Sequence, residues 1–392
     1  MRSIVVHYKE LALKGRNRPW FVQILVQNLK TALKGIGVPR VRSVMGRIEI
    51  DLAPDASFDA ASERIQRVFG IANFSLAGRA PLDFRALADA ILVDLGDLQV
   101  PSFRVSARRA DKRFPFTSPQ IEREVGGLIK QAKGWTVDLD HAALTIHLEM
   151  LADHAFYFFG KVPGAGGLPS GTSGRLTCLV SGGIDSPVAA YRMMRRGCTV
   201  SFVHFHSYPI LSRASQEKVR EIVTLLTQYQ QHARVAMVAF GELQQQVVLA
   251  VPPQYRVVIY RRLMLRIAEQ IARRWKSRAL VTGEVVGQVA SQTLENMTTI
   301  AEACSLEILR PLVGMDKDEI SDEAQAIGTL SISNIPDQDC CTLFTPRNPA
   351  TRARLADVLQ AEAALPIDEM VAGAVADAAI EEFSYPVPRP PA

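Results

Sequence analysis

LTCLVSGGIDSPVAA (residues 176–190) is the stretch on which the fold turns. Leu176 to Val180 is a short apolar run that reads as a buried strand, SGGIDSP (181–187) follows, and a helical stretch then continues through Arg195. Two glycines between a strand end and a helix start let backbone N–H groups close on an anion. The helix N-terminus adds its positive end, and Ser181 and Ser186 add hydroxyl donors. Ser181, Gly182, Gly183 and Ser186 therefore read as a pyrophosphate cradle. Asp185, an acid inside an anion site, makes sense if it helps hold Mg²⁺ against the phosphates. The plainer alternative is a helix N-cap in which glycine and serine only supply turn geometry. A GxxxxGK[ST] loop is absent: Gly166 and Gly171 have its spacing, but Thr172 stands where lysine is required.

Working outward, a strand is expected over Thr199 to His204, a long helix over Tyr255 to Arg274 and a buried strand over Ala279 to Thr282. Strands alternating with long helices indicate an α/β domain with a doubly wound parallel sheet over residues 173–392. The glycine- and proline-rich run 163–174 fits no regular element and reads as a domain boundary. Residues 1–77 follow the order strand, helix, two strands, helix, strand, which is a ferredoxin-like split βαβ unit. Residues 78–165 form a second α+β module. In it Phe103, Val105 and Ala107 alternate with Arg104, Ser106 and Arg108, and Ser118-Pro119 opens a helix. Tyr385 to Ala392 reads as an extended tail.

The chain has 392 residues, 48% hydrophobic and 22% charged, which excludes wholesale disorder and suits two or three domains. No apolar run is long enough to span a membrane and no leader opens the chain, so a cytoplasmic protein without a membrane partner is expected. Five cysteines without a CxxC argue against a disulfide framework and a zinc ribbon. Charge is unevenly spread: residues 1–50 carry a net +8, residues 101–134 a net +5, and the last 82 residues a net −9. Two basic blocks in one half suit a polyphosphate partner. Lys14, Arg16, Arg18, Arg104, Arg108, Arg109, Lys112 and Arg113 are the candidate nucleic-acid contacts.

SGGIDS after a strand resembles the PP-loop of the ATP pyrophosphatases, which adenylate a carbonyl or carboxyl oxygen. Further stretches resemble the tRNA 4-thiouridine synthetases (tRNA uracil 4-sulfurtransferases). These are YKELALKGRNR (8–18), FRVSARRADKRFPFTS (103–118), GGLPSGTSG (166–174), HFHS (204–207), RRLMLRIAE (261–269), TGE (282–284), GQVASQ (287–292) and DCCTLF (339–344). The likeness runs nearly end to end.

That resemblance implies an N-terminal ferredoxin-like domain, a THUMP RNA-binding domain and a PP-loop adenylating domain. It implies ATP and Mg²⁺ as cofactors and tRNA as partner, with O4 of uridine 8 adenylated and a sulfur nucleophile displacing AMP. Nucleotide contacts would come from Leu179, Val180, His204, Phe205, Arg261, Gly283 and Gln292. Asp185 would be the catalytic acidic residue, and Cys340 the sulfur relay, with Cys341 as the weaker candidate; the alternative is that both are structural. The chain resembles the short form, without a rhodanese domain, and no cysteine follows Cys341. Sulfur would then come from a cysteine desulfurase or other persulfide donor, from free sulfide, or from an iron–sulfur cluster. The resemblance also allows a homodimer and a role in thiamine thiazole synthesis. Two other readings stand beside it: a PP-loop enzyme that modifies a different tRNA base, and a non-catalytic RNA-binding protein.

Overall fold

Within the glycine- and proline-rich run, at Pro169 and Ser170, the chain divides into two units, Met1–Pro169 and Ser170–Ala392. The computed structural model describes residues 2–336, 344, 346 and 348–386.

The first unit runs β1 (Ser3–His7), α1 (Arg18–Ala32), β2 (Arg40–Val44), β3 (Arg47–Asp51), α2 (Phe58–Ile65) and β4 (Asn73–Ala80). It continues with α3 (Phe84–Leu95), β5 (Ser102–Arg109), α4 (Ser118–Lys133), β6 (Thr136–Val137), β7 (Leu144–Met150), β8 (Ala155–Phe158) and β9 (Val162–Pro163). One sheet in the order β2-β3-β1-β4-β8-β7-β5-β6 carries both halves, with β9 on β4. β4 starts two residues later than the apolar run at Ile71 and extends to Ala80, because residues 73–77 pair with β1 and residues 78–80 with β8. Local signals set the helices. Asp83 accepts from Ala86 N at 2.8 Å to cap α3, and Thr117 and Gln120 form a capping box ahead of Pro119 in α4. Gly134, at φ +72°, ends α4 in the left-handed conformation. The alternation expected in β5 is present, with Phe103, Val105 and Ala107 buried.

The second unit comprises β10 (Arg175–Leu179), α5 (Asp185–Arg195), β11 (Thr199–His206), α6 (Ala214–Gln230), β12 (His232–Ala239), α7 (Gly241–Ala250) and α8 (Arg256–Arg274). Then follow β13 (Ala279–Val281), α9 (Leu294–Ala301), β14 (Glu307–Leu309), α10 (Lys317–Ile327), α11 (Leu330–Ser333), α12 (Leu355–Glu362), α13 (Ile367–Ala376) and β15 (Ala379–Ser384). The sheet order is β14-β13-β10-β11-β12-β15. Its pairs are parallel except at the edge, where β15 lies antiparallel on β12. The expected doubly wound parallel sheet is present, with β15 added at its edge: α13 returns the chain along the open edge of β12, and Glu381 is clamped by Arg220 at 2.7 and 2.8 Å. β10 sits between β13 and β11, so the strand order reverses around it, and the carboxyl end of β10 is where such sheets open a crevice.

α8 crosses this sheet with Val258, Ile259, Leu263, Ile267 and Ile271 buried against it. Arg262 on the same helix is also fully buried. Its Nε donates to Glu362 at 2.8 Å, its Nη2 to Glu302 at 2.8 Å, and its Nη1 to the Thr299 carbonyl. Arg266 adds two bonds to Glu362, at 2.8 and 2.9 Å. Burial pushes the Glu362 carboxyl up, but the Arg266 and Arg262 hydrogen bonds outweigh it and hold the group below the usual glutamate range. Glu362→Ala leaves Arg262 buried without its main partner and should cost about 3–5 kcal/mol in chemical denaturation. Because the folded pKa is depressed, this contribution is complete above the usual glutamate range and is lost as pH falls through the folded value. Equal stability of variant and parent at neutral pH would contradict the assignment.

Candidate functional site

The 181–186 loop is closed by its own serines. Ser186 Oγ accepts from Ser181 N at 2.9 Å and lies 3.2 Å from Ser181 Oγ, which in turn accepts from Gly183 N at 3.3 Å. The hydroxyls therefore shape the loop before they serve any ligand. α5 begins after Ile184 with no side-chain cap, so the alternative of a simple serine N-cap does not describe it, and its first N–H groups remain for an anion. Gly182 is buried and Gly183 exposed. Gly283, in the loop after β13, presses on the same turn: a Cβ there would lie 2.7 Å from Ser186 N and 2.8 Å from the Asp185 carbonyl carbon. Glycine alone permits that approach.

A cavity of about 230 Å³ opens beside this turn, lined by Leu179, Val180, Ser181, Asp185, Ser186, His204, Phe205, Arg261, Gly283 and Gln292. These are the residues singled out in the sequence for nucleotide contact, apart from Gly182 and Gly183 in the loop itself. Met264, Leu265, Thr282, Glu284 and Ile300 complete the wall, and none of these was singled out. His204 is buried, its Nδ1 3.0 Å from the Val180 carbonyl, a geometry that places the Nδ1 proton on that oxygen. Phe205 packs edge-on against Phe240. Gln292 is buried, and its Oε1 has no donor among the described residues. An apolar slot with one unsatisfied amide oxygen, running to an anion-binding turn, has the donor set of a nucleotide site.

Charge is organised in two groups at this cavity. Asp185 Oδ1 lies 2.8 Å from Lys317 Nζ, and Gln288 Nε2 donates to Oδ2 at 3.0 Å. Arg261 donates to Glu284, which also holds Arg310. Lys317 is the residue that sequence reasoning missed most completely: it opens α10, 132 residues after Asp185, with no local motif around it. Gln288 and Glu284 lie inside stretches quoted above but were not singled out.

The thiols of Cys178, Cys198 and Cys304 are all held in the protonated form. Burial is the main cause for each, and Cys304, also beside Glu269, is pushed up to about 12. Cys340 and Cys341 lie outside the described residues. In the first unit, Arg16, Arg108 and Lys112 are exposed. Lys14 lies over the Phe21 ring, and Arg18 donates to Tyr8 Oη at 3.0 Å. Arg104 donates to Thr145 Oγ1 and to the Leu139 carbonyl, and Arg109 to the Phe114 carbonyl. Arg113 is locked on Asp111, whose carboxyl it draws down to about 2. No helix among the described residues is long and apolar enough to cross a membrane.

Comparison with known proteins gives a consistent likeness. Residues 171–367 match the family described as thiamine biosynthesis protein (ThiI), residues 3–75 the ThiI ferredoxin-like domain and residues 85–158 the THUMP domain. A probable tRNA sulfurtransferase of Thermus thermophilus is 45% identical over 98% of this chain and 94% of that protein. One of Moorella thermoacetica is 43% identical over 94% of this chain and 95% of its own. A 4-thiouridine synthetase, solved with RNA and bound ATP, superposes with a TM-score of 0.90 at 34% identity, covering 98% of this chain and all of that one.

Gly283→Ala forces the β13 loop off the turn. Binding of inorganic pyrophosphate, measured by titration calorimetry, should weaken at least tenfold while circular dichroism is unchanged; undiminished binding would show that the close approach does not shape the anion site.

Proposed function

The chain belongs to the ThiI family, and on that premise we propose that it is an ATP-dependent tRNA sulfurtransferase that converts uridine 8 of tRNA to 4-thiouridine. The observation that carries this is the single cavity walled by the 181–186 turn, Gly283, Arg261 and Gln292. ATP, when bound, would supply an adenylyl group that turns O4 of the uracil into a leaving group as pyrophosphate is released, with Mg²⁺ offsetting the phosphate charge.

The chain's own residues do the rest. The uncapped N–H groups at the start of α5, with Gly182 and Gly183, receive the phosphates, and Val180 and Phe205 flank the base. Gln292 Oε1 is the buried acceptor that an exocyclic amine would satisfy. Asp185 would hold Mg²⁺, and Lys317 and Gln288, which now bond its two oxygens, would then be released toward the phosphate side. A sulfur nucleophile attacks C4 and AMP departs. From Cys340 this is the terminal sulfur of a persulfide; a second thiol then attacks Cys340 Sγ, which releases the 4-thiouridine and leaves a disulfide on Cys340 that an external dithiol reduces before the next turnover. The raised pKa of the other described thiols, Cys178, Cys198 and Cys304, supports that role for Cys340. The basic side chains of the first unit would grip the tRNA backbone. Mg²⁺, a persulfide donor, a homodimer, sulfur supply to thiamine and the three-part division at 1–77, 78–165 and 173–392 belong to this proposal.

Nucleoside mass spectrometry after incubation with tRNA, ATP, Mg²⁺ and sulfide should show 4-thiouridine, and Asp185→Ala should abolish it. Modification of another base would move the assignment to the alternative reading. Cys340→Ser should lose sulfur transfer from a cysteine desulfurase by more than 100-fold in rate yet retain the sulfide-driven reaction; full activity with the desulfurase would take the relay away from Cys340.

A further inference from the structure

Glu284 is an acid in the wall of a pocket assigned to a polyphosphate, a placement that costs binding unless the acid has other work. Its side chain is almost completely buried, and three donors already hold its two oxygens. Oε1 accepts from Arg261 Nη1 at 3.0 Å, and Oε2 from Arg310 Nε at 2.8 Å and Thr282 Oγ1 at 3.0 Å. Arg261 comes from α8 and Arg310 follows β14, so one carboxylate ties three elements together at the cavity. Its backbone is equally fixed, because Gly283 is wedged against the start of α5.

We propose that Glu284 is a positioning residue that aims Arg261 at the phosphates of the bound nucleotide and sets ATP affinity without itself touching nucleotide or metal; this rests on the function proposed above. With two guanidiniums on one carboxylate the cluster carries a net positive charge, the sign a triphosphate requires, and of the two arginines it is Arg261 that lines the cavity. Arg261 uses one nitrogen on Glu284, and its other N–H groups have no bond among the described residues, so they are directed but not consumed. Three of the carboxylate's four acceptor sites are already taken by donors, so holding a metal or taking a proton would compete with the bonds that fix Arg261 and Arg310.

The test is a double-mutant cycle on the full chain. Glu284→Gln must turn an amide NH₂ toward a donor on one side, so it releases one arginine. ATP binding by calorimetry should weaken about tenfold and KM for ATP should rise by the same factor. Turnover at saturating ATP should change less than threefold and tRNA affinity not at all. Arg261→Gln should produce a similar loss, and the double variant should be no worse than Arg261→Gln alone, because Glu284 acts through Arg261. Losses that multiply in the double variant would overturn the proposal, as would an Mg²⁺ requirement raised by Glu284→Gln with ATP affinity intact. Glu284→Asp keeps the charge but withdraws it by one methylene, and should give an intermediate affinity even where the Gln variant fails to fold; parental affinity would count against the proposal. A parent chain that binds ATP but forms no 4-thiouridine would defeat the function proposed above, and the affinity comparison would still read out Glu284.

Discussion

The backbone at Gly283 passes so near the first turn of α5 that no side chain can stand between them, and the pocket takes its form from that contact. β10 and β13 are parallel neighbours, with Thr177 opposite Leu280 and Cys178 opposite Val281, so their exits leave the sheet side by side. One exit becomes the 181–186 turn and the other becomes the 282–292 loop. Holding them together makes a crevice at the strand-order reversal into a pocket with fixed walls. The serine pair at 181 and 186 braces the turn from inside, while Gly283 braces it from outside. Glu284 and Gln292 then line the same pocket, and Gln288 reaches Asp185, because their loop has been delivered there.

Much of this was legible because it is local. A strand, two glycines and a helix specify a tight strand-to-helix turn within a dozen residues, and Ser118-Pro119 marks the start of α4. What was not legible is long-range in sequence. Lys317 reaches Asp185 only because α10 packs beside α5, and nothing near Lys317 announces a partner. β15 completes the second sheet as an antiparallel edge, although its AIEEFS sequence carries two acids and only an irregular apolar pattern. The walls contributed by Met264 and Leu265 belong to the buried stripe of α8, which periodicity explains as core before it explains anything else. Arg113, one of the candidate nucleic-acid contacts, bonds Asp111 two residues away while its side chain stays exposed.

Two kinds of basic residue emerge, and their environments differ in the way their proposed tasks demand. At the pocket each cation is held by an acid: Arg261 and Arg310 by Glu284, Lys317 by Asp185. Such pairing lowers the net field but fixes direction, so that little rearrangement is needed when charge moves on a phosphate. In the first unit Arg16, Arg108 and Lys112 lie exposed, where long side chains keep their freedom and their counterions until a polyanion displaces them. A gripping surface gains from loose charges because one surface must follow a long, regular backbone, and a pocket gains from restrained ones because a single phosphorus must be reached. Net charge alone, which is only +5, says little about either kind.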